Sequence, residues 1–351
     1  MEVGLLGTTS QSMLRVIIVM SYCLAEVTKT PVEPLDRLKG SVMKVWRCSG
    51  AVAMALSAVL TLAGCSGGST PASSQASASS AAMIKVVAST NVWGDIASRI
   101  GGDQVEVTSI IDDPNKDPHE YQASSRNQLA LSQAQLVVEN GGGYDDFVDT
   151  MLKSAGNPKV VVLNAVQLSG DTAAPGQGLN EHVWYDYAAV RKVAEAIRDQ
   201  LTTIDPGGST AFAANAQVFT AGLDQLNASV ADLKAKYAGK GAAITEPVPL
   251  YLLDALGLVN KTPEEFSKAI ENGTDPAPSV LDQTLALFTN HAVSVLAYNQ
   301  QTSGPLTQKV LDAATSANVP VVPVQETVPS GKTYLTWQAG IITALGQAIA
   351  Q

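Results

Sequence analysis

Residues 209–238, "STAFAANAQVFTAGLDQLNASVADLKAKYA", decide the fold. The stretch holds no proline, and its one internal glycine is Gly222. Its larger apolar side chains fall at Phe212, Phe219, Leu223, Leu226, Val230, Leu233 and Tyr237. That near-regular three-and-four spacing gives a helix one buried face. Ser209 or Thr210 stands where an N-cap belongs, and Gly239 stands at C′. At 1.5 Å per residue the helix is roughly 45 Å long, enough to cross a whole lobe. A coiled-coil arm would show the same stripe, but such arms are unusual inside the kind of chain that flanks this one. Residues 206–239 are therefore read as a packed connecting helix.

On its N-terminal side, short β-branched runs alternate with helical patterns. "IKVVAST", "VEVTSII", "LVVE" and "KVVVL" read as strands, with "NVWGDIASRI", "SRNQLALSQA" and "YDDFVDTMLKSA" as helices between them. On its C-terminal side "AAIT", "VSVLAYN" and "VPVVPV" alternate with "LYLLDALG", "TPEEFSKAIEN" and "LTQKVLDAATSA". Alternating β and α predicts two parallel-sheet α/β lobes, 84–205 and 240–351, joined by the long helix. The strand runs are almost continuously apolar, as strands covered on both faces are.

The front of the chain has another character. From Met43, two basic residues (Lys44 and Arg47) precede an apolar run over 51–63, too short to span a bilayer comfortably. The run ends in "LAGC", which resembles a bacterial lipoprotein signal over 43–64. That resemblance implies Cys65 as the lipidated first residue of the mature protein. An extracytoplasmic, membrane-anchored location follows. Residues 65–83, rich in Ser, Gly and Ala, cannot bury enough apolar area to offset ordering entropy and read as a flexible linker. Residues 1–42 precede a complete signal. They read as a mis-assigned upstream start or an extended leader.

All three cysteines lie at or before Cys65, so the body has no thiol for a disulfide or a thiolate site. The net charge is −10, and it becomes −12 once residues 1–64, with six basic and four acidic side chains, are removed. Such a charge argues against nucleic acid and is compatible with a cationic ligand.

Histidine is scarce: three in 351 residues. His119 lies in "DPNKDPHEYQ", after the strand "VEVTSII", where open α/β sheets bind ligands. Pro114 and Pro118 stiffen that loop, and Asp117 or Glu120 could orient the ring. His182 lies in "NEHVWYD", again preceded by an acid and flanked by aromatic residues. His291, in "FTNHAVSV", reads as a capping or surface residue.

"ASTNVWGDIASRIGG", "DPHEYQ", "NEHVWYD", "ITEPVPLYLLDALG" and "ETVPSGKTY", in this order and spread over the body from about residue 84, resemble the substrate-binding lipoproteins of bacterial zinc/manganese ABC importers. The resemblance implies two α/β lobes joined by one rigid helix, with a metal held in the interlobe cleft. It implies His119 and His182 as ligands from the first lobe. The third ligand position is histidine in zinc-type members and glutamate in many manganese-type members. "TEPVPLYLL" puts Glu246 there. The fourth is normally an aspartate, and this chain departs from that pattern with Glu326. The His-rich loop of many zinc-type members is replaced by "SGDTAAPGQGLN", which has no histidine. The implied ligand is zinc or manganese, carried rather than used, with no organic cofactor. The implied partners are an ABC permease and its ATPase, and the receptor is expected to be a monomer. The chain has no GxxxxGK[ST] of its own for the ATPase.

Two imidazoles and two carboxylates suit a divalent transition metal. A catalytic zinc enzyme would need an open position and a base; "HEYQ" is not HExxH, and four protein ligands leave no site for water. A helix-linked receptor for a siderophore or haem would need a wide aromatic or basic cleft, and aromatics are only 5% here.

Overall fold

The computed structural model describes residues 82–113, 121, 124–173 and 178–351. The leader, the signal, Cys65 and nearly all of the linker lie outside these residues. No helix among the described residues is long and apolar enough to cross a membrane.

Two four-stranded, all-parallel sheets form the frame. The first contains β1 (Ile84–Thr90), β2 (Val105–Ile111), β3 (Leu136–Glu139) and β4 (Val161–Asn164) in the order β2-β1-β3-β4. The second contains β5 (Gly241–Ile244), β6 (Val259–Asn260), β7 (Val295–Asn299) and β8 (Val321–Val324) in the order β6-β5-β7-β8. The two halves repeat one topology. In each, the strand order reverses beside the first strand, and ligands of open α/β sheets bind at the carboxyl ends next to such a switch. The central strands are buried along their whole length, as in "LVVE" of β3 and "VLAYN" of β7. The sequence pattern missed β6. It is two residues long and exists through its pairing with β5, Gly241 opposite Val259.

Helices cover both sheets. In the first half they are α1 (Asn91–Gly101), α2 (Ser125–Gln133), α3 (Phe147–Ala155), α4 (Ala165–Ser169) and α5 (Tyr187–Ile204). The long helix is α6, Ser209–Tyr237. The second half adds α7 (Leu250–Ala255), α8 (Glu264–Glu271), α9 (Pro278–Thr289), α10 (Pro305–Ser316) and α11 (Tyr334–Ile349). Caps fix several starts: Asp186 Oδ1 accepts from Ala188 N at 2.8 Å to open α5, and Thr333 opens α11 with a capping box to Thr336.

Helix α6 packs against α1 and α5 of the first half and α11 of the second, so it is a connecting helix rather than a projecting arm. Phe212, Ala216, Phe219, Leu223, Leu226 and Val230 form its buried face. Its N-cap is Gly208 with no side-chain cap, because Ser209 is already helical; the expected hydroxyl cap is not made. Gly239 follows its C-terminus at φ +88°, a conformation that favours glycine. Gly222 is explained by close packing: a Cβ there would lie 2.4 Å from Leu335 Cδ1 on α11. His291 is exposed just beyond α9 at φ +51°, in keeping with a surface position at a helix end.

One core runs through both halves, from Trp93 and Trp184 through Phe212, Phe219 and Leu223 to Ile244 and Trp337. Buried and partly buried hydrogen bonds cross between the halves as well. Tyr334 OH donates to Trp184 O at 2.6 Å, and Asn91 exchanges two bonds with the Val328 backbone at 2.8 and 2.9 Å.

Candidate metal centre

The side chains of interest come from the carboxyl ends of strands and the loops that follow. Glu246 lies two residues past β5, Asn299 ends β7, and Glu326 lies two residues past β8. His182 heads a short 3-10 turn, Val183–Tyr185, that leads into α5. All four are fully or almost fully buried.

His182 is oriented by its neighbours. Its Nδ1 lies 2.7 Å from Asn180 Oδ1. The Asn180 amide donates through Nδ2 to Pro247 O at 3.3 Å, which turns its oxygen toward the imidazole. Tyr251 OH donates to Asn180 O at 2.8 Å and holds the loop. A neutral imidazole that donates from Nδ1 keeps its lone pair on Nε2, the form a metal accepts. The indole of Trp184 meets the ring edge-on, 5.0 Å away.

Two carboxylates face that nitrogen. Glu326 Oε2 is 3.9 Å and Glu271 Oε1 is 3.8 Å from His182 Nε2. Glu246 is tied into the same group through Asn299. The Asn299 Nδ2 donates to Glu246 Oε2 and, at 2.9 Å, to Glu326 Oε1. Thr302 Oγ1 also donates to Glu246 Oε2, and Gln301 Oε1 accepts from Glu326 N at 2.6 Å. One neutral amide therefore holds two buried carboxylates side by side, and it leaves the second oxygen of Glu326 directed toward the imidazole.

Crowding of like charge marks the same place. Burial pushes the Glu271 carboxyl up to about 8, and repulsion from Glu181 and Glu246 adds to this against a smaller opposing pull from Lys268. Glu181, His182 and Glu271 offer donor atoms that all lie within 4.8 Å of one another. Glu271 also lines a pocket of about 180 Å³ whose walls come from both halves, Asn180 and Glu181 on one side and Pro247, Glu264 and Ser267 on the other.

Of the residues singled out in the sequence, His182, Glu246 and Glu326 are thus brought into one buried cluster. His119, with Asp117 and Glu120, lies outside the described residues. Two residues of the cluster escaped sequence reasoning. Asn299 ends a strand and carries no metal-ligand signal. Glu271 had a weak signal: it follows the buried Ser267 by one helical turn, so it lies on the inward face of α8.

The family description of the zinc-uptake complex component A, periplasmic, or ZnuA, matches residues 86–348, three-quarters of the chain. The chain belongs to the ZnuA family. Among relatives of this ZnuA-family chain, the manganese-binding lipoprotein MntA of Halalkalibacterium halodurans is 29% identical over 149 residues, 42% of this chain and 49% of the relative. The manganese-binding lipoprotein MntA of Bacillus subtilis is 28% identical over 181 residues, 51% of this chain and 57% of the relative. The chain spans about half the length of the curated relatives it matches. The fold is shared more widely. A crystal structure of ZnuA superposes with a TM-score of 0.63 at 21% identity, covering 76% of this chain and 98% of that one. The periplasmic zinc-binding protein TroA of Treponema pallidum superposes with a TM-score of 0.65 at 18% identity, covering 77% and 100%.

Proposed function

We propose that this chain is the extracytoplasmic receptor of an ABC importer for a divalent transition metal, zinc or manganese, held in the cleft between the two lobes. The observation that carries the reading is the convergence of His182, Glu326 and Glu246 from three loops onto one buried place, with Asn180 and Asn299 orienting them. His119, from the loop after β2, completes the set. The relatives named for manganese and the zinc-binding TroA support the same cargo class. The ion is carried and released, so the protein acts as a receptor rather than an enzyme and needs no organic cofactor.

In this reading residues 43–64 are a lipoprotein signal, Cys65 carries the lipid, and 65–83 tether the body. The lobes are 84–205 and 240–351, with 206–239 as the connecting helix. The receptor works as a monomer that hands its ion to a membrane permease driven by a separate ATPase. Elemental analysis tests the cargo. The protein purified without chelator should carry close to one zinc or manganese per chain, and His119→Ala, His182→Ala, Glu246→Ala and Glu326→Ala should each lower that content at least tenfold. Unchanged content in all four variants would overturn the assignment.

A further inference from the structure

We propose that Tyr185 is a positioning residue of the metal centre: through the backbone of Gln325, its hydroxyl sets how far the His182 imidazole stands from the Glu326 carboxylate. The inference rests on the receptor reading above and deepens it. Tyr185 acts through the two segments it joins, not through contact with the ion.

The link begins at the imidazole. Tyr185 N donates to His182 O at 3.1 Å and closes the turn Val183–Tyr185, so the phenol and the imidazole share one tight turn. The Tyr185 ring is almost fully buried and meets Trp337 of α11 edge-on, 5.8 Å away, which fixes its direction. Its hydroxyl donates to Gln325 O at 2.9 Å and accepts from Gln325 N at 3.4 Å. Gln325 immediately precedes Glu326. From the second half, Gln301 Oε1 accepts from Glu326 N at 2.6 Å, and Gln301 Nε2 donates to Thr327 Oγ1 at 2.9 Å. The residue ahead of Glu326 is thus held from one half, and Glu326 itself from the other.

Spacing is what such a tie controls. His182 Nε2 and Glu326 Oε2 stand 3.9 Å apart. Two donors about 2.0–2.2 Å from one ion, at a tetrahedral angle, stand roughly 3.4 Å apart, so the pair is within about 0.5 Å of that spacing. A hydrogen bond keeps its heavy atoms within a window of about 0.5 Å, which is the tolerance the pair needs. The other end of the His182 loop is tied in the same way: Asn180 Nδ2 donates to Pro247 O at 3.3 Å, next to Glu246. Removing the Tyr185 hydroxyl takes this partner from the partly buried Gln325 carbonyl and lets the chain around Glu326 shift.

Tyr185→Phe tests this, because it removes only the hydroxyl and keeps the ring against Trp337. Tyr187→Phe is the control. Tyr187 OH also crosses between the halves, donating to Gln338 Oε1 at 3.0 Å, but Gln338 lies inside α11 and adjoins no ligand in sequence. Each variant loses one hydroxyl bond between the halves, so both should melt at lower temperature in chelator. Chelator-competition titrations of Zn2+ and of Mn2+ into the full chain should separate them. Tyr185→Phe should bind each ion about tenfold more weakly, the loss typical of a removed outer partner, and Tyr187→Phe should stay within threefold of wild type. Affinity of Tyr185→Phe within threefold of wild type for both ions, or equal losses in the two variants, would overturn the proposal. So would a Tyr185→Phe chain without the native circular dichroism, since the hydroxyl would then serve the fold rather than the site. A wild type that binds neither ion would instead refute the receptor reading, so the two failures are distinct.

Discussion

Replacing Asn299 with leucine removes the amide that holds Glu246 and Glu326 together while leaving the volume of the site nearly unchanged. In the proposed site Asn299 acts by orienting Glu246 and Glu326, to both of which its Nδ2 donates. Removing such an outer partner typically costs 10–100-fold in metal affinity, or about 1.4–2.7 kcal/mol. The ion-free protein is also affected. Each hydrogen bond to a charged group contributes about 1.5–3 kcal/mol, and Asn299 makes two. The carboxylates can recover part of that loss by taking up protons. The net cost should therefore be near that of one bond, about 2 kcal/mol, which lowers the melting temperature of a body this size by about 4–8 °C. Chelator competition for Zn2+ or Mn2+ at neutral pH reads the first effect, and thermal melts of the chelator-treated protein read the second. Affinity within threefold of wild type, in a variant that folds, would refute the argument that Asn299 sets the carboxylate pair.

Three other outcomes follow from the same geometry. Protons compete with the ion for His182, so metal affinity should decline as pH falls through the ordinary imidazole range near ~6.5, and titrations between pH 7.5 and 5.5 would detect it. Burial raises the Glu139 carboxyl from 4.5 to about 7, against an opposing hydrogen bond from Asn164. The folded state thus favours the neutral acid, so the stability tied to Glu139 is complete below pH 4.5 and is lost as pH rises through 7. Melts of wild type and Glu139→Gln should therefore diverge in the variant's favour between pH 5 and 8, and parallel curves would count against the assignment. Phe219→Ala, in the middle of α6, should cost about 3–5 kcal/mol. Because one core spans both halves, calorimetry should show a single transition moved to lower temperature, and two separated transitions would contradict that core.

Much of the fold was legible because its signals are local. The spacing of α6 and the glycine at its end need no partner to be read, and neither do the continuous apolar runs of β1, β3 and β7. What escaped depended on partners. β6 is two residues with no periodicity, and it becomes a strand only beside β5. Ser209 looked like a cap until Asp205 and the Pro206–Gly208 turn began the helical path earlier. The candidate site divides in the same way. His182, Glu246 and Glu326 sit in motifs whose order along the chain resembles a known family. Asn299 and Glu271 matter only through convergence: Asn299 is 53 positions from one carboxylate it binds and 27 from the other. No pattern in a single stretch of sequence encodes such a bracket.

The central claim is that one divalent ion lies among His182, Glu246 and Glu326. Anomalous diffraction at the zinc or manganese edge, from crystals of the protein grown with that ion, tests it most directly. The account predicts one strong peak about 2.0–2.3 Å from His182 Nε2 and from an oxygen of each carboxylate. A cleft without a peak in ion-saturated crystals, or an ion bound elsewhere with these three side chains unengaged, would contradict it.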